Sequence, residues 1–279
     1  MIASDVMAQP VFVVTAQDTV AHARKLMLKH KISRLPIMEG TRLAGIITKK
    51  DIAYRLRQTD PVWRRRPIDR IPVHVLMVPD PVSISPETPI RAVAALMLSR
   101  DISGVPVVEE GALTGIVTKS DVLKSESVNH LALTAQEMMG DVVTANRYHS
   151  LDHIIDLMRE RNDRIVVVND DGTLAGIITE SNIAFFEYTD VNIGVPEKDV
   201  TILRRQESGG RKQYRYVRDV STVAEDIMSR PVITIAPGAP ISDAVALMRT
   251  HHITSVVVVD GRDLKGIVKR DDIIREVAK

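Results

Sequence analysis

The stretch LMLKHKISRLPIMEGTRLAGIITKKD, residues 26–51, carries a pattern that returns three more times along the chain. In each copy a glycine and two aliphatic residues follow the methionine of a Leu-Met pair at an offset of 18 residues. An acid or an amide then comes six residues after the glycine, at Asp51, Asp121, Asn182 and Asp272. Such repeats determine the fold as a whole, so we describe the chain as four blocks, numbered 1 to 4.

Each block has the same predicted order of elements. An extended segment (residues 11–15, 82–85, 142–144 and 232–235) precedes a helix with the Leu-Met pair, two apolar strands joined by a polar turn, and a closing helix. In block 2, Thr88 is predicted as the N-cap and Pro89 as the first helical residue. The crossover helix makes the first two strands parallel and the tight turn makes a hairpin. The predicted fold class is mixed α/β, with four β-α-β-β-α blocks that pair through their apolar faces.

Composition excludes several classes of function. The chain has no cysteine, which excludes disulfides, cysteine-ligated zinc, iron–sulfur clusters and thiol nucleophiles. Its 37 basic and 36 acidic residues nearly cancel, which argues against a uniform basic surface for nucleic acid. Its apolar runs are far shorter than a membrane span, and the first residues do not form a signal peptide. We therefore expect a cytoplasmic protein with no membrane attachment.

The repeated unit, with its Gly-aliphatic-aliphatic-Thr-x-x-Asp end, resembles the CBS motif named after cystathionine β-synthase. The resemblance implies motifs at residues 1–58, 71–126, 134–188 and 220–279, paired into Bateman modules at 1–126 and 134–279. A chain of four motifs is similar to stand-alone archaeal and bacterial CBS proteins and to the γ subunit of AMP-activated protein kinase. This implies an adenosyl ligand (AMP, ADP, ATP or an S-adenosylmethionine type) between paired motifs, with no catalytic cofactor. It also implies a protein partner or a second copy of the chain, and both monomer and dimer stay open.

The Thr-x-x-Asp turns are the candidate binding sites, with Thr48 and Asp51 in block 1 and Thr118 and Asp121 in block 2. A short carboxylate at the start of a helix can accept hydrogen bonds from both hydroxyls of a ribose, while free N–H groups there face a phosphate. The same pattern is also a capping box, in which the acid only stabilises the helix. The pattern leaves both interpretations open.

Blocks 3 and 4 depart from this pattern. Block 3 has Thr179 and Asn182, which lacks the charge, and block 4 has Lys269, which cannot cap, before Asp272. The first module is therefore the better candidate. The resemblance adds further ligand residues beside the second strands and in the extended segments: Ile32, Ser33, Arg34, Ile102, Ser103, Thr254, Val13 and Ser83. For Arg34, a locally paired charge and a phosphate contact are both open. No metal site is predicted.

An insertion at residues 189–219 separates blocks 3 and 4. Val200–Gln206 and Gln213–Val217 alternate as strands around a Ser-Gly-Gly turn, which predicts a β-hairpin. It concentrates basic residues at Arg204, Arg205, Arg211, Lys212, Arg215 and Arg218. A solvated decoration, a surface for a protein partner and a surface for nucleic acid are the three interpretations.

Catalytic patterns are missing from the sequence. We find no nucleophile with a base, no phosphate-binding loop of the GxxxxGK[ST] type and no dinucleotide fingerprint. The prediction is a non-enzymatic regulatory sensor that binds an adenosyl ligand and signals through altered packing of its modules. The alternative is a nucleic-acid or protein-interaction module that acts through the basic hairpin, with its clefts empty.

Overall fold

The structure is a computed structural model that describes residues 1–55, 68–125, 128, 131–161, 164–189, 198–207, 210–219 and 222–279. The side chains at positions 55, 68, 186–189 and within 198–219 lie outside this description, and so do those of the predicted basic cluster in the insertion. The mixed α/β fold class is confirmed, because all four blocks contain a crossover helix, a strand hairpin and a closing helix.

The crossover helices bury one apolar face each and span Val20–Lys29, Ile90–Ser99, Leu151–Arg161 and Ile241–Thr250. The antiparallel hairpins pair Arg34–Glu39 with Arg42–Thr48, Gly104–Glu109 with Ala112–Thr118, Ile165–Val168 with Leu174–Ile178, and Ser255–Asp260 with Asp263–Lys269. The closing helices span Lys49–Arg55, Lys119–Val122, Glu180–Thr189 and Arg270–Ala278.

The first strand of each block is short. Parallel pairing with the second strand is limited to Val14–Thr15, Val143–Asn146 and Thr234–Ile235, and in block 2 to a single bridge between Ile84 and Val107. The extended segments predicted at 11–15, 82–85 and 232–235 were therefore too long as strands. Phe12, Val13 and Val82 in these segments are exposed.

Each block is preceded by a short helical turn that the sequence pattern did not predict. Three are α-helical, at Ala3–Val6, Ala135–Met138 and Ala224–Ile227, and the block 2 turn is a 3-10 helix at Val73–Val75. An acid in the third helical position stabilises the α-helical turns: the Asp5 carboxylate accepts from the Ile2 N–H at 2.8 Å, and Asp226 accepts from the Val223 N–H at 2.8 Å. A second 3-10 turn spans Ile68–Arg70.

These turns begin leading segments that pack on another block rather than on their own. Residues 2–8 lie on block 2, where Ile2 bridges Pro89 and Ala8 bridges Ile116. Residues 72–79 lie on block 1, where the strand Val78–Pro79 extends the sheet beside the third strand. In the same way the leading segment of block 3 bridges block 4 at Pro240 and Ile267, and that of block 4 bridges block 3 at Ser150 and Ile177. Blocks 1 and 2 therefore exchange leading segments, and so do blocks 3 and 4.

The start of the block 2 crossover helix differs from the prediction because of this exchange. Pro89 is the N-cap, with extended φ −61° and ψ 138°, and no side chain caps the helix, so Thr88 is not the cap. The reason is that the incoming leading segment holds this turn: the Ile90 N–H donates to the Met1 carbonyl at 3.1 Å. A side-chain cap is less necessary when another segment supplies an acceptor for the free N–H groups at the start of a helix.

The repeated glycine and a leading-segment methionine meet in this exchange. A Cβ added to Gly115 would lie 2.3 Å from Met7 Sδ, closer than any real contact. The same approach joins Gly45 to Met77, Gly176 to Met228 and Gly266 to Met139. The glycine is required because the methionine of the exchanged segment occupies the space of its side chain.

Contacts divide the described chain into two units. One comprises Met1–Val142 with Pro231–Lys279, and the other comprises Val143–Arg230. In the first unit, blocks 2 and 4 share one aliphatic core, in which Val93 and Met97 join Ile273, Ile274 and Val277. The second unit contains the body of block 3 and the insertion. The division into modules at 1–126 and 134–279 stays a prediction.

The insertion forms the predicted hairpin, with longer strands than predicted. Lys198–Glu207 pairs with Gly210–Asp219 in a ten-residue antiparallel register. In the described residues no helix has the length and apolar character that a membrane crossing needs.

Candidate functional site

The Thr-x-x-Asp turn of block 1 forms a complete capping box where the third strand becomes the closing helix. Asp51 Oδ2 accepts from the Thr48 N–H at 2.9 Å and from Thr48 Oγ1 at 2.6 Å, while the Asp51 N–H donates to Thr48 Oγ1 at 3.2 Å. Asp51 is 8 % exposed. A capping role does not exclude ligand contact, since an ionised carboxylate has about four acceptor positions.

Block 2 repeats this geometry with one addition. Asp121 Oδ2 accepts from the Thr118 N–H at 2.9 Å and from Thr118 Oγ1 at 2.6 Å. Its other oxygen, Oδ1, accepts from Lys124 Nζ at 2.7 Å, and Asp121 is 6 % exposed. The Lys124 side chain is half exposed, so this ion pair faces solvent.

Block 3 uses the same position differently. Asn182 Oδ1 accepts from the Thr179 N–H and from Thr179 Oγ1, both at 2.9 Å. Asn182 Nδ2 donates to the Ile227 carbonyl at 2.8 Å and to Ser229 Oγ at 2.9 Å. The amide therefore holds the leading segment of block 4, so both of its ends already have protein partners.

Block 4 retains half of the box. Asp272 Oδ2 accepts from the Lys269 N–H at 2.9 Å, but lysine has no hydroxyl to complete the reciprocal bonds. Asp272 Oδ1 accepts from Arg275 at 3.2 Å.

In blocks 1, 2 and 4, the residue before the second strand forms a backbone hydrogen bond with the first inner residue of the turn. The Ser33 carbonyl accepts from the Lys49 N–H at 3.0 Å, and the Ser103 carbonyl accepts from the Lys119 N–H at 3.1 Å. In block 4 the Thr254 carbonyl accepts from the Arg270 N–H at 3.0 Å. The structure thus brings these predicted site residues together with the Thr-x-x-Asp turns.

Arg34 reaches from block 1 into block 2. Its guanidinium donates to the Ser103 carbonyl and, at 2.7 Å, to Ser103 Oγ, and Arg34 is 8 % exposed. Gly104, the block 2 counterpart of Arg34, provides the room, because a Cβ there would overlap the guanidinium. Of the two interpretations of Arg34, the structure contains the local pairing. Ile32 and Ile102 are half-buried at the ends of their crossover helices, where each N–H bonds back to the helix.

Val13 and Ser83 are exposed in the extended segments. Val13 lines an apolar cavity of about 490 Å³ with Gln9, Pro10, Val11, Met38, Thr41, Ala112, Leu113 and Thr114. This cavity lies at the turn ends of the block 1 and block 2 hairpins, whereas the Thr-x-x-Asp turns follow the opposite ends. The structure therefore does not join Val13 to the capping box through this cavity.

The two residues inside each Thr-x-x-Asp turn were missed as contact residues. Lys119 Nζ donates to Asp271 Oδ2 at 2.7 Å, and Arg270 donates to Ser120 Oγ at 2.8 Å. The signal in the sequence was the charged Lys-Arg-Asp-Asp turn of block 4, which differs from the turn of block 2 at these inner positions. Among the described residues, no cluster of His, Asp or Glu has the arrangement of a metal site.

The sequence profile of the CBS domain matches residues 3–58, 68–127, 134–187 and 223–279. The chain belongs to the CBS domain family. The four matched segments correspond to the four blocks, and the resemblance predicted from the sequence is confirmed.

Several proteins are similar to this CBS domain protein. Methanocaldococcus jannaschii MJ1404 is 32 % identical over 198 residues, which are 69 % of this chain and 44 % of that protein. MJ1225 of the same organism is 24 % identical over 93 % of this chain and 92 % of its own length. The crystal structure of MJ1225, described as a proposed archaeal homologue of the γ subunit of AMP-activated protein kinase, has a TM-score of 0.79 at 22 % identity and covers 99 % of both chains. The shared feature of these two chains is the fold.

Part of this chain is also similar to part of an enzyme. Inosine-5′-monophosphate dehydrogenase of Thermoplasma acidophilum is 37 % identical over 109 residues, which are 39 % of this chain and 22 % of the enzyme. The chain thus spans less than half the length of MJ1404 and of the dehydrogenase. CBS domains are regulatory parts in this family and are typically non-catalytic.

Proposed function

We propose that this chain is a non-enzymatic sensor of adenosyl ligands and that its principal sites are the Thr-x-x-Asp turns of blocks 1 and 2. The observation that carries the proposal is the state of Asp121. This carboxylate is nearly buried, Thr118 bonds only to its Oδ2, and Lys124 takes one acceptor position of its Oδ1. Another acceptor position of Oδ1 remains for a ribose hydroxyl, and Asp51 repeats the capping geometry in block 1.

Signalling follows from where these turns lie. The Ser103 carbonyl bonds to the block 2 turn and to Arg34 of block 1, so a ligand at this turn contacts a network shared by two blocks. A ligand that prefers one packing of the blocks shifts the population toward it, and a partner protein or a second copy reads that change. We assign this role to the cytoplasm, with no membrane or catalytic cofactor involved.

The test is thermal unfolding with AMP, ADP, ATP, S-adenosylmethionine and 5′-methylthioadenosine, each at about 1 mM. A ligand at a hundred times its Kd adds roughly 2.7 kcal/mol to the free energy of unfolding, which raises the melting temperature measurably. Asp121→Ala and Asp51→Ala should reduce the shift. Asp263→Ala, on an exposed hairpin turn, is the matched control and should retain it.

A melting temperature that no compound raises would overturn the proposal and leave the turns as helix caps. Steady ATP turnover that disappears in Asp51→Ala and Asp121→Ala would overturn the non-enzymatic part. A shift that survives both variants would place the ligand elsewhere in the chain.

The basic hairpin is a second candidate site, for a polyanion. Its register places Arg205 opposite Lys212, and like charges directly opposite on neighbouring strands destabilise a ribbon. At the other end, Arg218 faces Asp199 and Lys198 faces Asp219, so the excess positive charge is concentrated near the turn. Salt-dependent retention by RNA or DNA that is lost on deleting residues 200–217 would support this candidate, and retention equal to that of the deletion would contradict it.

A further inference from the structure

Two reciprocal contacts join the turn of block 2 to the turn of block 4. Lys119 and Ser120 are the inner residues of the block 2 turn, and Arg270 and Asp271 are the inner residues of the block 4 turn. The first inner residue of each turn contacts the second inner residue of the other: Lys119 Nζ donates to Asp271 Oδ2 at 2.7 Å and Arg270 donates to Ser120 Oγ at 2.8 Å. The two turns thus meet in a locally symmetric way.

The Lys119 contact is strongly constrained by burial. The side chain of Lys119 is only 4 % exposed, whereas that of Asp271 is 40 % exposed. A buried ammonium without a nearby carboxylate is strongly unfavourable, so Lys119 must follow Asp271 if the block 4 turn moves. The shared aliphatic core of the two closing helices and their crossover helices lies beside this ion pair and limits independent movement of the two blocks.

Each contact residue is attached directly to proposed ligand groups. The Lys119 N–H bonds to the Ser103 carbonyl, and Lys119 itself follows Thr118. The Arg270 N–H bonds to the Thr254 carbonyl, and Asp271 precedes Asp272. A chain of bonds therefore runs from Ser103 through Lys119 and the Asp271–Arg270 pair to Thr254.

We infer that the block 2 and block 4 sites are thermodynamically coupled through the Lys119–Asp271 ion pair, so that a ligand at one site raises the affinity of the other. The inference rests on the proposed function and names a regulation of its sites. The physical reason is that a ligand restricts the position of the turn it binds, and the buried ion pair restricts the position of the other turn with it. Linkage requires the effect to be equal in both directions.

The experiment measures binding of 5′-methylthioadenosine to the full chain by titration calorimetry. This probe carries no phosphate, so repulsion between two bound anions does not oppose the coupling. Because block 1 is itself a proposed site, every chain in this comparison carries Asp51→Ala, and affinity at the block 2 site is measured with and without Asp272→Ala, which removes the main acceptor of block 4. We expect the affinity at block 2 to fall about fivefold or more in Asp272→Ala, the range typical of coupled sites.

The double variant Lys119→Met/Asp271→Asn tests the link itself. It removes both charges together, so no buried charge is left without a partner. In this background the affinity at block 2 should be the same with and without Asp272→Ala. Lys265→Met is the matched control, because Lys265 pairs with Asp263 on an exposed turn of block 4, and it should keep the fivefold difference.

The outcomes separate the two proposals. Binding at block 2 that Asp272→Ala leaves unchanged while the ion pair is intact would overturn the coupling and leave the sensor function intact. A fivefold difference that persists in the double variant would overturn the role of the ion pair. Absence of binding by all five adenosyl compounds would overturn the sensor function, and the coupling with it.

Discussion

Blocks 2 and 3 have the same fold around the same turn, yet they use its last residue for different purposes. In block 2, Asp121 accepts from Thr118 through one oxygen and from the half-exposed Lys124 through the other. In block 3, Asn182 accepts from Thr179 through its oxygen and donates its amide hydrogens to Ile227 and Ser229 of an exchanged leading segment. Both blocks share the helix cap. They differ in the second polar atom of the side chain, which is the acceptor Oδ1 in Asp121 and the donor Nδ2 in Asn182.

The difference teaches that the repeat has two separable requirements. Every block needs an acceptor that begins its closing helix, and aspartate or asparagine satisfies that need equally well. Only a carboxylate has acceptor capacity left over for a ligand, while an amide has donors that the protein itself can use. This difference supports the proposal that block 2 binds the ligand, whereas Asn182 of block 3 holds an exchanged segment.

Exchanging the two residues should give the largest effects. Asn182→Asp removes both amide donors and places a carboxylate against the Ile227 carbonyl, so the free energy of unfolding should fall by about 1–3 kcal/mol. Asp121→Asn retains the acceptor for Thr118 and should change stability by less than about 1 kcal/mol. Urea denaturation measures both, and equal losses in the two variants would contradict the division of roles.

The same exchange should act oppositely on binding. Asp121→Asn should lower the affinity for the adenosyl ligand by about tenfold, because one charge-assisted hydrogen bond is lost. Asn182→Asp should leave the affinity at block 2 unchanged.

The methionine–glycine contact should be equally important in both blocks. Gly115→Ala and Gly176→Ala each place a Cβ 2.3 Å from a methionine Sδ, so each should destabilise the protein by about 1–2 kcal/mol through overpacking. Gly238→Ala is the control, since a Cβ there meets nothing within 4 Å. Calorimetry measures the melting temperature of each variant. A clear decrease in only one of the two variants would contradict this prediction.

Acid should loosen the leading segment of block 4, which packs on block 3, but not the leading segment of block 1, which packs on block 2. The Arg147 guanidinium holds the pKa of Glu225 below its usual 4.5, whereas block 2 has Pro86 and Ser4 at the corresponding backbone contact. Because the folded-state pKa is lowered, the stabilisation is complete above the usual pKa and is lost as the pH falls through the lowered one. Glu225→Gln should therefore flatten the fall in melting temperature between about pH 5 and pH 3, and an unchanged slope would contradict the role of this ion pair.

The smallest effect is expected where a crossover helix ends. Lys31 and Asp101 occupy the left-handed position after the helices of blocks 1 and 2, with φ of 53° and 49°. Lys31→Gly should raise the free energy of unfolding by up to about 1 kcal/mol, because glycine adopts this conformation without strain. Asp101→Gly should gain less, since it also loses a 3.5 Å ion pair with Lys50. A larger gain from Asp101→Gly would reverse this order.

Local periodicity was enough to predict the four blocks, their helices and hairpins, because apolar spacing and turn residues report on neighbours in the chain. The pairing of Met7 with Gly115 could not be predicted in the same way, although both residues belong to the repeat. The repeat shows that a methionine and a glycine recur in every block. It does not show which block's methionine packs on which block's glycine. The unpredicted leading turns have the same origin, since their ends are satisfied by a different block.

The Thr-x-x-Asp turns were identified from the sequence, and their capping geometry is as the pattern predicts. The partners of the inner residues were not, because Lys119 and Asp271 are more than 150 positions apart and either charge could have been solvated. The second role of Asn182 was hidden for the same reason. The sequence left two roles open for Arg34. Its hydrogen bonds to Ser103 depend on the space that is available because Gly104 has no side chain.

The exchange of leading segments also bears on how the chain folds as it is synthesised. Met7 leaves the ribosome first, but Gly115, which receives it, is made more than a hundred residues later. At about 5–20 residues per second, this delay amounts to roughly 5–20 s. During that time block 1 also lacks the strand Val78–Pro79 that completes its sheet until residues 72–79 emerge. A block that is still alone on the ribosome therefore lacks a segment that packs on it, and we expect blocks 1 and 2 to complete their packing only after both have been synthesised.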